Sequence, residues 1–343
     1  MAVQDPSATA APTDSGGVAR RRVGLADFVQ RYALLGAWLL VILLFGVLRP
    51  ETFLTSDNFA SIFSTQAVIV MLTLGLIIPL TTSDYDLSVA YNLTLSSMVL
   101  GVLQVNHGWP LALAIVAALG VGTTIGFVNG AIAILFKIDT LIVTLGTGTF
   151  VAGLTFWVSD STTISGVSPT LVEWVVGHRI LGIPIEFYYA LLLALIIWYV
   201  FEFTAVGRRL LFVGRGRNVA KLSGLNVDRL RWGGLIAAGF LSALAGVVAA
   251  GTTGSADPTS GTTLLLPAFA AAFLGATAIL PGRFNAWGAV VATYFLATGI
   301  TGLQLLGVDT FVQQLFYGAA LIIAVVLSQV FRRGNESIAG PGG

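Results

Sequence analysis

Ten apolar runs divide the chain, near residues 32–48, 59–80, 88–106, 110–136, 140–158, 187–203, 232–252, 263–280, 284–306 and 311–331. Each meets or approaches the roughly twenty residues that a helix needs to cross a hydrocarbon core about 30 Å thick. The pattern predicts an all-α polytopic membrane protein with about ten transmembrane helices. Three polar interruptions stand out: Thr81–Ser88 between the second and third runs, 159–186 before the sixth, and 204–231 after it. The last holds seven of the seventeen Lys and Arg residues, Arg208, Arg209, Arg215, Arg217, Lys221, Arg229 and Arg231, against one acid, Asp228.

Composition excludes a soluble globule, in which about a quarter of residues are charged. Here 56% are hydrophobic, 10% are charged and mean hydropathy is +0.90 over 343 residues. Forty glycines suit helices packed closely in lipid. With no cysteine and two histidines, the chain offers no disulfide framework, thiolate nucleophile or convincing metal cluster. Residues 1–19 and 334–343 read as tails, the first disordered for want of apolar residues. Arg20, Arg21 and Arg22 read as a topology anchor, because no small-residue cleavage site follows.

Charge sets the orientation. With a cytoplasmic N-terminus and alternating spans, fifteen of the seventeen basic residues fall inside, and only Arg49 and Arg179 fall outside. Both termini are then cytoplasmic, and 204–231 is a cytoplasmic loop. Its charge is accounted for by topology, which leaves no case for nucleic-acid binding. The 159–186 segment faces outside, with a short interfacial helix around Leu171–Val175 or a docking surface for an external partner; Trp174 and Tyr188 suit the aromatic belt.

Self-comparison reveals a repeat. Thr81-Thr82-Ser83-Asp84-Tyr85-Asp86 resembles Thr252-Thr253-Gly254-Ser255-Ala256-Asp257, and Ile138-Asp139-Thr140 resembles Val308-Asp309-Thr310, at offsets of 171 and 170. Five spans separate the copies, so the halves, 59–158 (spans two to five) and 232–331 (spans seven to ten), have opposite orientation. Inverted repeats place a transport pathway at the interface between halves.

Candidate chemistry is sparse. Gly122, Gly126 and Gly130 form one face of the fourth span, a close helix crossing, and Ala238, Ser242 and Gly246 form a similar row in the seventh. Asn129 beside the first row either bonds across that crossing or contacts solute. Acids at membrane depth are costly and usually functional, so Asp84, Tyr85 and Asp86, with Asp257 from the other half, are candidate pathway residues; in a plain cytoplasmic turn the first two acids are merely solvated. Tyr85-Asp86 matches one half of an intramembrane aspartyl protease, but the companion Gly-x-Gly-Asp is absent, as are Gly-x-Ser-x-Gly, His-Glu-x-x-His and a P-loop.

Taken together, Asp86-Leu87-Ser88-Val89, Gly126-Phe127-Val128-Asn129-Gly130, Thr144-Leu145-Gly146-Thr147, Leu181-Gly182-Ile183-Pro184 and Leu222-Ser223-Gly224-Leu225-Asn226-Val227-Asp228-Arg229 carry a resemblance in their order and spacing. The chain resembles, from about Phe59 to Arg333, the permease subunits of bacterial ABC importers of the ribose/xylose type, related to the branched-chain amino acid permeases. That resemblance implies a non-enzymatic transport subunit of the bacterial plasma (inner) membrane, working as a pair of permeases. It implies ATP and Mg on a separate cytoplasmic ATPase, no cofactor in this chain, and an extracytoplasmic binding protein delivering solute. It assigns the ATPase contact to the loop between the sixth and seventh spans, here Arg208, Gly214, Asn218, Leu222, Ser223, Gly224, Leu225, Asn226, Asp228 and Arg229. One motif departs: the family usually carries Gly-Gly-Ile-Asp-Leu-Ser, whereas this chain has Ser83-Asp84-Tyr85-Asp86-Leu87-Ser88. The expected solute is small and polar, a monosaccharide or related polyol. An ion-coupled secondary transporter and a nontransporting membrane scaffold are the alternatives.

Overall fold

A computed structural model describes the backbone of residues 25–338 and the side chains of residues 31–328. The tail expected at 1–19, the Arg20–Arg22 cluster and residues 339–343 lie outside the described residues.

Every predicted run is helical. In chain order, α1 is Leu25–Leu48, followed by the single turn α2 (Pro50–Phe53), then α3 (Ser56–Thr65) and α4 (Ala67–Thr81), which together make the second span. α5 (Val89–Gly101) continues through a π-helical turn, Val102–Asn106; α6 (Leu111–Leu135) and α7 (Thr140–Val158) complete the first half. The segment expected as an outer loop carries β1 (Ile164–Ser165), the turn α8 (Pro169–Val172) with a π-helical Glu173–Gly177, and the pair β2 (Arg179–Ile180) and β3 (Ile183–Pro184) before α9 (Ile185–Phe203). The interfacial helix expected near 171–175 is therefore present. It packs inward, because Gly251 leaves room for Val175 and Leu171.

The 204–231 segment is not a loop. Thr204 caps α10 (Ala205–Arg215) by accepting from the Gly207 amide, α11 (Arg217–Leu222) follows, and Asn226 caps α12 (Val227–Thr253) by accepting from Arg229. The seventh span thus begins five residues before the expected 232. Beyond it lie β4 (Ser255–Ala256), paired with β1, then α13 (Ser260–Gly275), α14 (Ala286–Leu305) and α15 (Phe311–Ile338).

Among the described residues, eight helices are long and apolar enough to cross a membrane. The third and eighth runs are the shortfall, since α5 and α13 have 13 and 16 residues. Both begin inside the bundle instead of at its surface. Asn129, which bonds Ser88 at the start of α5, lies six residues before the end of α6, roughly 9 Å along that helix. At the other end, a Cβ on Gly261 would lie 2.1 Å from Thr94 Oγ1, while one on Gly101 would touch Ala256. The start of α13 therefore lies about two turns inward of the outer end of α5.

The repeat extends well beyond its short sequence match. Ser83 and Gly254, 171 positions apart, both have left-handed backbones (φ 61° and 65°), and α5 and α13 start at the same offset, as do α7 and α15. Each half also lends its first helix to the other: α4 packs on α13 and α14, and α12 packs on α5 and α6. Every residue of α4 is buried, as befits a helix apolar all round.

The glycine row of α6 packs against α12, a partner that the sequence did not name. A Cβ on Gly126 would lie 2.4 Å from the Leu235 carbonyl oxygen, one on Gly122 2.4 Å from Ala243 Cβ, and one on Gly130 2.2 Å from the Trp232 ring. Asn92 of α5 closes this crossing by donating to the Gly122 and Gly239 carbonyls at 3.2 and 3.1 Å. Gly126→Leu is expected to cost about 1–3 kcal/mol or more, because the obstacle is backbone and cannot swing aside. Gly120→Ala, where an added Cβ meets nothing within 4 Å, is expected to leave the melting temperature unchanged or raised. Equal effects of the two substitutions on melting in detergent would dismiss this account of the crossing.

Candidate functional site

The nonhelical segment Ser83–Ser88 runs from the end of α4 inward to the start of α5, and its side chains split into two groups. Asp84 is fully buried at the outer end of this segment. Its carboxylate accepts from Arg231 Nη2 (2.7 Å) and Nε (2.9 Å), from Arg217 Nη2 (2.8 Å), and from the hydroxyls of Thr82 (2.8 Å) and Thr140 (3.2 Å). Arg217 also donates to the Thr82 and Ser83 carbonyls. Beside it, Gly214 lies so close that a Cβ would fall 1.9 Å from the Thr81 oxygen. Asp84, expected on the solute path, is thus occupied by protein donors that fasten α11 and the start of α12 to this turn. Buried carboxylates take partners of this kind because an isolated ion there is prohibitive.

Tyr85 is partly exposed, but its ring stacks on Phe273 at 6.4 Å, so the face proposed for a sugar is already engaged on one side. Asp86 turns inward. Its Oδ1 accepts from the Ser88 amide at 2.9 Å and the Ser88 hydroxyl at 2.6 Å, which seats the first turn of α5. Thr144 holds the backbone on either side, accepting from the Leu87 amide and donating to the Tyr85 carbonyl. Asn129 is buried and satisfied at both ends of its amide, donating to Ser88 Oγ at 2.8 Å and accepting from Thr147 at 2.6 Å. It ties α6 to the start of α5 and to α7, not across the glycine crossing with α12.

Asp257 repeats the Asp86 arrangement, its Oδ1 accepting from the Thr259 amide at 2.7 Å and hydroxyl at 2.6 Å. Those bonds, with one from Thr163, hold its carboxyl below the ordinary carboxylate range. It is not brought together with Asp84. Arg231, which grips Asp84, and Thr253, beside the Asp257 turn, are 22 residues apart on one helix, roughly 33 Å. The two acidic turns serve opposite ends of the bundle, as inverted copies must.

Between those turns the first two turns of α5 and the start of α13 meet α7. Tyr91, Thr94, Ala152, Thr155, Phe156, Pro258, Thr259 and Thr262 enclose a cavity of about 110 Å³. Gly148 allows the Tyr91 ring to lie flat against α7. Thr94, Thr155 and Thr262 each donate to a carbonyl of the chain, and Thr259 donates to Asp257. With their protons committed inside the protein, any of these oxygens that a solute reaches can only accept, which suits a neutral solute rich in hydroxyl donors.

Sequence reasoning missed this cavity, because threonines in apolar helices carry no motif. It also left Glu186 in the outer segment 159–186, whereas Glu186 lies in the first turn of α9, buried and bonded to Ser64 and Thr252, joining α3, α9 and α12. The signal available for the Asp84 clamp was the cost of the acid itself, which demanded cations nearby.

Of the residues assigned to an ATPase contact, Arg208, Asn218, Leu222, Ser223, Gly224, Asn226, Asp228 and Arg229 are exposed, with Leu222 at 89%, whereas Leu225 is half-buried and Gly214 faces α4.

Known proteins were compared with the chain as a whole. The D-allose transport system permease protein of Escherichia coli (strain K12) is 29% identical over 92% of this chain and 96% of its own length. The ribose import permease protein of Bacillus subtilis (strain 168) is 33% identical over 90% of this chain and 96% of its own. The fructose import permease protein of Rhizobium meliloti is 29% identical over 86% and 84%. No solved structure matches. Residues 58–325 match the family described as the branched-chain amino acid transport system permease component, which takes in both halves and the clamp between them, and the chain belongs to that family.

Proposed function

We propose that this chain is the membrane subunit of an ATP-driven importer of the inner membrane, and that it passes a monosaccharide or related polyol by alternating access. The carrying observation is the cavity between the starts of α5 and α13. Two short helices, one from each inverted half, begin inside the bundle and meet at a cavity with four threonines in its lining. Discontinuous helices at a repeat interface are where transporters hold their solutes. Relatives named for allose, ribose and fructose transport support a sugar.

The partners follow from the same reading. A cytoplasmic ATPase, which carries ATP and Mg, docks on the exposed surface of Asn218–Asp228, with both termini on that side. A second permease subunit and an extracytoplasmic binding protein complete the importer. Strokes on the Leu222–Asp228 surface pass through Arg217 and Arg231 to the Ser83–Ser88 segment, and so to the start of α5.

Proteoliposomes containing the chain, its paired permease, ATPase and binding protein provide the test. Uptake of labelled D-ribose, D-allose or D-fructose is expected to require ATP and to be insensitive to collapse of ion gradients. Uptake driven by an ion gradient without the ATPase would sink the proposal in favour of secondary transport.

A further inference from the structure

Both α9 and α12 pack on α4, and between them opens a groove of about 550 Å³ floored by Ile78. Ile197 and Val206 form one wall and Ala237 the other. Arg229, in the first turn of α12, is the one charged residue that lines it, and its guanidinium makes no hydrogen bond or ion pair with another described residue. One turn further along, Gly233 lines the groove where an added Cβ would meet nothing within 4 Å, and its φ is not positive. Glycine inside a helix costs stability relative to alanine, and neither packing nor backbone calls for it here. What its missing side chain preserves is the depth of the groove.

Charge at the mouth is complementary to an anion. Arg208 and Arg209 are exposed on α10, the helix whose Val206 lines the same opening. We propose that the groove binds a phospholipid with an anionic head group, one acyl chain lying over Gly233 and Ala237 and the phosphate against Arg229. Basic side chains beside a membrane surface attract anionic lipid, and the apolar walls exclude a hydrated solute. The site is separate from the hydroxyl-lined cavity, and it stands whether or not the transport proposal does.

Native mass spectrometry of the purified full-length protein in detergent, titrated with phosphatidylglycerol, phosphatidylcholine or oleate, provides the test. Phosphatidylglycerol is expected to be held about fivefold more tightly than phosphatidylcholine, the worth of one basic side chain at an anionic surface. Arg229→Gln is expected to erase that preference. Gly233→Leu, directed into open space, is expected to remove both lipid adducts without lowering the melting temperature. Equal retention of the two lipids by the wild type, or phosphatidylglycerol bound normally by Gly233→Leu, overturns the proposal. So does mole-for-mole displacement by oleate, which would make the ligand a free fatty acid. Loss of a dimer in Gly233→Leu, with no lipid mass in the wild type, assigns the groove to a second copy of the chain and overturns it likewise.

Discussion

Asp84→Leu is expected to cost the folded protein about 3–5 kcal/mol, the usual result of removing one member of a buried ion pair. The loss comes chiefly from what remains. The Arg231 side chain is only 13% exposed, and without Asp84 its guanidinium keeps its burial but loses the carboxylate that grips it bidentately. Arg217, at 39% exposed, can turn to water, so Arg217→Gln is expected to cost less, on the scale of a surface pair. Asp84→Leu with Arg231→Met should recover most of the stability, since an apolar replacement of both partners avoids their desolvation. Unfolding of Asp84→Leu, Arg231→Met and their double variant in detergent gives the Asp84–Arg231 coupling energy directly. An Asp84→Leu variant within 1 kcal/mol of wild type would show that the clamp does not hold the turn. Even the repaired double variant should lose uptake, because its link from α12 to Ser83–Ser88 no longer has direction.

Replacing Ser223 and Gly224 with tryptophan is expected to abolish ATP-driven uptake while leaving the protein inserted and folded. Gly224 has φ 80°, and nothing lies within 4 Å of its would-be Cβ, so the new rings would project away from the chain, at the cost of local backbone strain. The obstruction would fall on the surface assigned to the ATPase, next to the 89% exposed Leu222. Loss of ATPase copurification together with uptake would place the defect at docking; retained copurification with lost uptake would place it in transmission. Uptake at the wild-type rate would falsify the coupling role of this turn.

How much of this was readable beforehand depends on whether a feature is local. The helices were, because hydropathy over twenty residues is a local quantity. The shortness of α5 and α13 was not, since the π-helical Val102–Asn106 after α5 and the nonhelical Ala276–Leu280 after α13 lengthen the apolar runs as a continued helix would. The Gly122, Gly126, Gly130 face was legible through its spacing. Helices α10 and α11 were obscured by Gly207, Gly214 and Gly216, which read as loop; in the fold Gly207 and Gly214 permit close approach to the Val200 and Thr81 carbonyls. Asp84 was singled out for the right physical reason, the expense of a buried acid, but its partners stand 133 and 147 positions away. No window on the sequence joins them. The Asp86 and Asp257 turns were found as a faint repeat, and only geometry revealed that each seats a helix start through the same pair of bonds.

The exchange of first helices between the halves bears on how the protein is made. Synthesis delivers α4 to α7 before any of α12 exists, so the early spans arrive with Asp84 lacking both arginines and Asn92 lacking the Gly239 carbonyl. The slot beside α5 and α6 stays empty until residues 227–253 emerge. Biogenesis therefore has a late closing step, in which the arrival of α12 both fills the slot and neutralises the waiting acid. A ribosome stalled before residue 217 would leave a half-molecule whose Asp84 has neither of its arginines.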